Sequence, residues 1–65
     1  MAMSEWISVK DRLPSPVDSV LIVTRSGGVG EGFHEKGKWW WITEDEVYVE
    51  VTHWMPLPEP PREED

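Results

Sequence analysis

The side chains able to do chemistry in this chain are few, and most stand at spacings that exclude the familiar reactions. His34 and His53 are the two histidines, and with a carboxylate nearby they have the composition of a two-histidine, one-carboxylate metal site. Simpler places suit them better: His53 at a strand end beside Trp54, donating to a backbone carbonyl, and His34 in a hairpin facing water. Ser8 and Ser19 have no histidine at a motif spacing, so a serine nucleophile activated by imidazole lacks support. The stretch Gly27-Gly28-Val29-Gly30-Glu31-Gly32 is only superficially a phosphate cradle. Such a loop must feed a helix whose N-terminus faces the anion, and here a strand pattern follows. No catalytic residue, metal ligand or cofactor is expected, and the chain reads as a binding protein rather than an enzyme.

Two features remain, the tryptophans and the carboxylates. Trp39-Trp40-Trp41 offers flat faces of the kind that stack on bases, but single-strand binders surround their aromatics with lysine and arginine. Here the triplet is preceded only by Lys36 and Lys38 and followed by Glu44-Asp45-Glu46. At least one of these indoles must fill the interior of so small a sheet. Alternation places Trp39 and Trp41 on one face, with Trp41 or Trp39 expected inside, and leaves Trp40 partly exposed. The carboxylates Glu31, Glu35, Glu44, Asp45, Glu46 and Glu50 fall in turns and on outward strand positions, where folding brings several within about 10 Å, near a Debye length. Such a group makes a soluble surface; it also imitates the charge of a phosphate backbone toward a basic groove. With Trp40 these carboxylates form the candidate partner-binding set.

Composition agrees with recognition by charge. Six Lys and Arg against 13 Asp and Glu leave a net charge of -7 on 65 residues, so the surface should repel DNA, RNA and anionic lipid and suit a basic protein. A chain this short holds one domain that buries only about 60% of its unfolded surface. It has no cysteine, hence no disulfide or thiolate metal site to staple it. Packing of its five tryptophans and aliphatic residues must hold it together. The longest apolar run, Val20 to Val23, is far short of the roughly 20 residues that span a bilayer, and no apolar signal core follows Met1. A cytoplasmic monomer is expected.

The elements that position these side chains read as mainly β. Strands are predicted near residues 19–25, 29–34, 38–43 and 47–54, joined by connections of two to six residues into a single antiparallel four-stranded meander. Ser8 caps one short N-terminal helical turn over 8–12 before Leu13-Pro14 stops it. Leu21, Val23, Val47, Val49 and Val51 are expected inside with the inner tryptophans, and Gly30 and Gly32, two apart on one side, admit a bulky aromatic from a neighbouring strand. His53 to Pro58 should run over the sheet and cover part of it. The domain is placed at residues 3–58, with 59–65 an acidic, flexible tail and Met1-Ala2 left outside the fold.

Two terminal motifs carry a resemblance. Trp6-Ile7-Ser8-Val9-Lys10-Asp11-Arg12-Leu13-Pro14 and His53-Trp54-Met55-Pro56-Leu57-Pro58-Glu59-Pro60-Pro61 resemble the small phage and prophage domain family of unknown function numbered five-five-one, with the Val20 to Val23 strand and the aromatic pair among Trp39 to Trp41 in keeping. The resemblance implies a phage or mobile-element origin, a small β-rich fold, an intracellular setting in the bacterial host and no catalytic residue. Joined to the acidity, it leads to the expectation of an inhibitor that mimics DNA charge and blocks a host DNA-binding defence complex. The concrete version is an anti-CRISPR protein at the motif-reading surface of a type I surveillance complex; in size and charge the chain is similar to such inhibitors. The alternative is a module that sequesters a nucleotide or other small molecule on its tryptophans.

Overall fold

The structure is a computed structural model and describes residues 6–58. The domain boundary at residue 3 and the tail at 59–65 lie outside the described residues. Five strands form one antiparallel sheet: β1 (Ile7–Ser8), β2 (Val20–Thr24), β3 (Val29–Glu35), β4 (Lys38–Trp41) and β5 (Val51–Pro56). Their order across the sheet is β1-β5-β2-β3-β4. No helix is present among the described residues, so none is long and apolar enough to cross a membrane.

Only β2, β3 and β4 follow one another as a meander. The chain then leaves β4 and crosses to β5, which inserts between β1 and β2. This corrects the expected four-stranded order. The strict alternation from Val47 to Val51 is not a strand through most of its length: Val47 to Glu50 are connection and β5 begins at Val51. Val51 to Trp54 fall within the strand predicted at 47–54, and Met55 and Pro56, expected to lie across the sheet, continue it. The reason is a pairing that local pattern does not encode, since β5 gains a partner on each side, Ile7 and Ile22 both standing opposite Trp54.

The expected helical turn at 8–12 is instead a hydrogen-bonded turn. The amide of Val9 donates to the Thr52 carbonyl at 3.0 Å, which holds residue 9 against β5 as an extension of the β1 ladder. Ser8 Oγ accepts from the Lys10 amide at 3.1 Å, as its position suggested, and the Ser8 carbonyl accepts from Asp11 at 2.9 Å. Pro14 and Pro16 follow before a second helical turn can form.

One face of the sheet holds the core. Val20, Ile22, Val47, Val51 and Trp54 are buried, with Ile7, Val9, Trp39 and Trp41 packed against them. In β2 the inner residues are therefore Val20, Ile22 and Thr24, while Leu21 and Val23 are half-buried on the opposite face. Glycine decides this phase. Gly32 stands opposite Val20 and Gly30 opposite Ile22, and the missing side chains leave room above β3 for the indole of Trp41. A Cβ at Gly30 would lie 3.0 Å from Trp41 Cζ3, and one at Gly32 would meet the Trp40 carbonyl and Ile22 Cδ1. The expected aromatic insertion beside these glycines is thus observed. Thr24, buried among aliphatics, is satisfied by the Gly28 amide and the Ser26 hydroxyl, both at 3.0 Å from its Oγ1.

The connections roof this face. Trp54 Nε1 donates to the Arg12 carbonyl at 2.9 Å, and the Arg12 guanidinium lies 5.9 Å from the ring centroid, tying the β1 to β2 connection to β5. From the other side Val47 drops into the core. A bulge between Val23 and Thr24 leaves Thr52 unpaired in the β2 ladder, and its carbonyl is taken by Val9.

Burial separates two substitutions by thermal melting: Ile22→Ala, at a side chain 0% exposed, should cost about 2–5 kcal/mol. Val49→Ala, at a side chain 45% exposed, should fall within about 0.5 kcal/mol of the parent. Gly32→Ala should cost about 1–3 kcal/mol, because the backbone of β4 must move to admit the methyl.

Candidate functional site

The face opposite the core has no roof among the described residues. Strand alternation puts Trp6, His53, Met55, Leu21, Val23, Val29, Glu31, Phe33, Glu35, Lys38 and Trp40 on it. Leu21, Val23, Phe33, Trp40 and Met55 are half-buried by their strand neighbours alone. The result is an apolar and aromatic band interrupted by Glu31 and ended by Glu35.

The carboxylates of the candidate set divide. Glu50 pairs with Arg25 at 3.2 Å beside the β2 to β3 turn, and Glu46 pairs with Lys38 at 3.8 Å. Asp45 Oδ2 accepts from the Thr43 hydroxyl at 2.9 Å. Glu31, Glu35 and Glu44 enter none of the ion pairs found among the described residues. Glu35 and Glu44 meet at a shallow depression of about 340 Å³, lined also by Phe33, Lys36 and Trp40.

Two turns build this depression. Lys36 and Gly37, at φ 56° and 79°, are the central pair of a two-residue hairpin turn between β3 and β4. Beyond β4, the Trp41 amide donates to the Asp45 carbonyl at 2.8 Å and the Glu44 amide to the Trp41 carbonyl at 2.7 Å, a three-residue turn. After it, Glu46 bridges to Trp40 and the Val47 amide donates to the Trp39 carbonyl, so a short return segment covers the outer edge of β4.

The same pattern closes the β2 to β3 hairpin, where Thr24 donates to Gly28 and Gly27 to Thr24, each at 2.9 Å. There the left-handed position is Gly27, at φ 99°; in the β4 turn it is Glu44, at φ 77°. Glutamate thus occupies a backbone conformation that suits glycine. Reading the sequence, Glu44 is an ordinary member of an acidic loop; only the comparison of the two turns exposes the strain.

Trp40 lines the depression and is half-buried, as alternation suggested. Its Nε1 donates to the Glu35 carbonyl at 3.3 Å, and its ring is within 16° of parallel to that of Phe33, with centroids 6.5 Å apart. Phe33, directly opposite Trp40 across the ladder, is the member of this site that sequence reading missed. The signal for it was the period of two in β3, which puts Phe33 on the same face as Glu31 and Glu35. His34 is half-buried against the edge of Trp39 at 4.8 Å rather than free in water. His53 shares a hydrogen with Thr52 Oγ1 at 3.0 Å. No group of three or more metal-ligating side chains is assembled among the described residues.

Fold and site together define a small antiparallel β domain with one roofed face and one open acidic and aromatic face. The chain belongs to the protein family described as Protein of unknown function (DUF551), whose model matches residues 5–62. No curated protein and no solved structure matches it.

Glu44→Gly should raise stability by about 1 kcal/mol by relieving the left-handed strain, read as a higher melting temperature. Gly27→Glu, the converse change in the equivalent turn, should lower it by a similar amount.

Proposed function

We propose that this domain is a non-catalytic binding protein that sets its open face against a basic, DNA-binding surface of another protein and blocks it. Supporting this reading is one arrangement: Glu35 and Glu44 line the depression with Phe33 and Trp40 and, like Glu31 on the same face, enter none of the ion pairs found among the described residues, whereas Glu46 and Glu50 pair with Lys38 and Arg25. Unpaired carboxylates around an aromatic centre suit a partner rich in arginine and lysine, because charge complementarity speeds encounter and the apolar centre supplies the burial. Among the described residues this face carries Lys38, which Glu46 pairs, and Lys36 at the depression. Arg12 lies over Trp54, Arg25 pairs with Glu50 and Lys38 with Glu46, so a phosphate-bearing ligand would meet little beyond Lys36.

In the setting that the family resemblance implies, the domain is a phage-encoded inhibitor, and its target is a host complex that reads duplex DNA with basic side chains, a type I CRISPR surveillance complex in the first instance. DNA charge is imitated by a few carboxylates around an aromatic centre rather than by an extended row. One face of the sheet is large enough in kind, since a standard interface takes about 800 Å² from each partner.

A mobility-shift assay with purified surveillance complex and its target duplex tests this. The native domain should release the DNA, and more weakly at high salt, because such attraction is screened over about 8–10 Å. Glu31→Lys/Glu35→Lys/Glu44→Lys should lose competition by at least about tenfold while melting no lower than the parent. Failure of the native domain to compete, or undiminished competition by the triple variant, would sink the reading.

A further inference from the structure

We infer that the Phe33–Trp40 depression is a receptor site for the guanidinium of an arginine side chain presented by the partner; the inference rests on the reading above and names the chemistry of its central contact. The depression, about 340 Å³, is bounded by aromatic carbon from Phe33 and Trp40 and by three charged residues, Glu35, Lys36 and Glu44. Two carboxylates against one ammonium leave it negative, so it selects a cation. Anions and nucleic acid are opposed both here and by the net charge of -7. The same like charge opposes a second copy of the chain, so the occupant belongs to a different protein.

Geometry favours arginine over lysine. Phe33 and Trp40 give the depression an aromatic surface, their rings within 16° of parallel. A planar, weakly hydrated guanidinium stacks on such a surface and still forks its N–H groups to a carboxylate, whereas an ammonium is a strongly hydrated point charge. The site is also set in advance. The Trp40 indole is held by the Glu35 carbonyl, and Lys36 and Glu44, the described non-glycine residues with positive φ, both line the depression. The Trp40 indole and the two turns that frame the depression are therefore in place before a cation enters.

The test uses the whole chain and three short peptides of one sequence that carry arginine, lysine or the neutral isostere citrulline, followed by nuclear magnetic resonance at the Trp40 indole N–H and the amides of 33–44. The arginine peptide should shift these signals saturably, the lysine peptide should bind about tenfold more weakly, and citrulline should leave them unmoved. Glu35→Gln and Trp40→Leu should each weaken the arginine response by about tenfold. Should Trp40→Leu fail to fold, Glu35→Gln and Glu44→Gly carry the comparison, since neither residue belongs to the core. Citrulline or lysine matching arginine, or shifts that bypass Trp40, would overturn the assignment. Loss of the arginine response with DNA competition intact removes this site and keeps the acidic face. A retained arginine response without competition keeps the site and removes the blocking role.

Discussion

A sheet with no helix beside it can bury an apolar face only beneath its own connections, and here that roof hangs on Trp54. Its indole stands between Ile7 and Ile22 on the neighbouring strands and donates its N–H to the Arg12 carbonyl. One side chain thus joins β1, β2, β5 and the connection that follows β1. A buried indole N–H without an acceptor costs about 1–3 kcal/mol, so the connection must return to the same place whenever Trp54 is inside. Val47 closes the roof from the opposite side. With both long connections committed to one face, nothing among the described residues is left to cover the other.

That division of labour accounts for the open face. Leu21, Val23, Phe33, Trp40 and Met55 are apolar yet only half-buried, the kind of surface that the proposed binding role uses. Charge is divided in the same way. Arg25 and Lys38 pair with Glu50 and Glu46, and of the remaining carboxylates Glu35 and Glu44 line the depression beside Phe33 and Trp40. The two hairpin turns of one geometry make the same point through the backbone. Where Gly27 relaxes the turn beside the core, Glu44 strains the turn beside the depression. Such strain persists where the surrounding structure holds it and collects at ligand clamps and switch regions.

The DUF551 match over residues 5–62 takes in both terminal motifs, and the strand pairing brings them together. Ile7 and Ser8 of the first motif form β1, and Trp54 of the second is its partner across the ladder. The two motifs are thus the two halves of one construction, the seam on which the roof depends. The open face draws chiefly on the region between them.

Much was legible in the residues themselves. The β-branched run at Val20 to Thr24, the turn glycines at Gly27 and Gly37, the paired glycines that admit Trp41 and the concentration of negative charge are all local, and local chemistry expresses itself wherever the chain goes. The phase of β2 was not legible, because four consecutive apolar residues present an equally apolar side to either face; Gly30 and Gly32 settle it only once they stand opposite Ile22 and Val20. The strand character of Met55 and Pro56 and the departure of Tyr48 and Val49 from the sheet were decided by pairing between Ile7 and Trp54, residues near opposite ends of the chain. The carboxylates left open were decided the same way, since Arg25 reaches Glu50 only after β5 has come to lie beside β2. Alternation and composition describe what each residue prefers, whereas its neighbours across a non-local ladder determine which preference can be met.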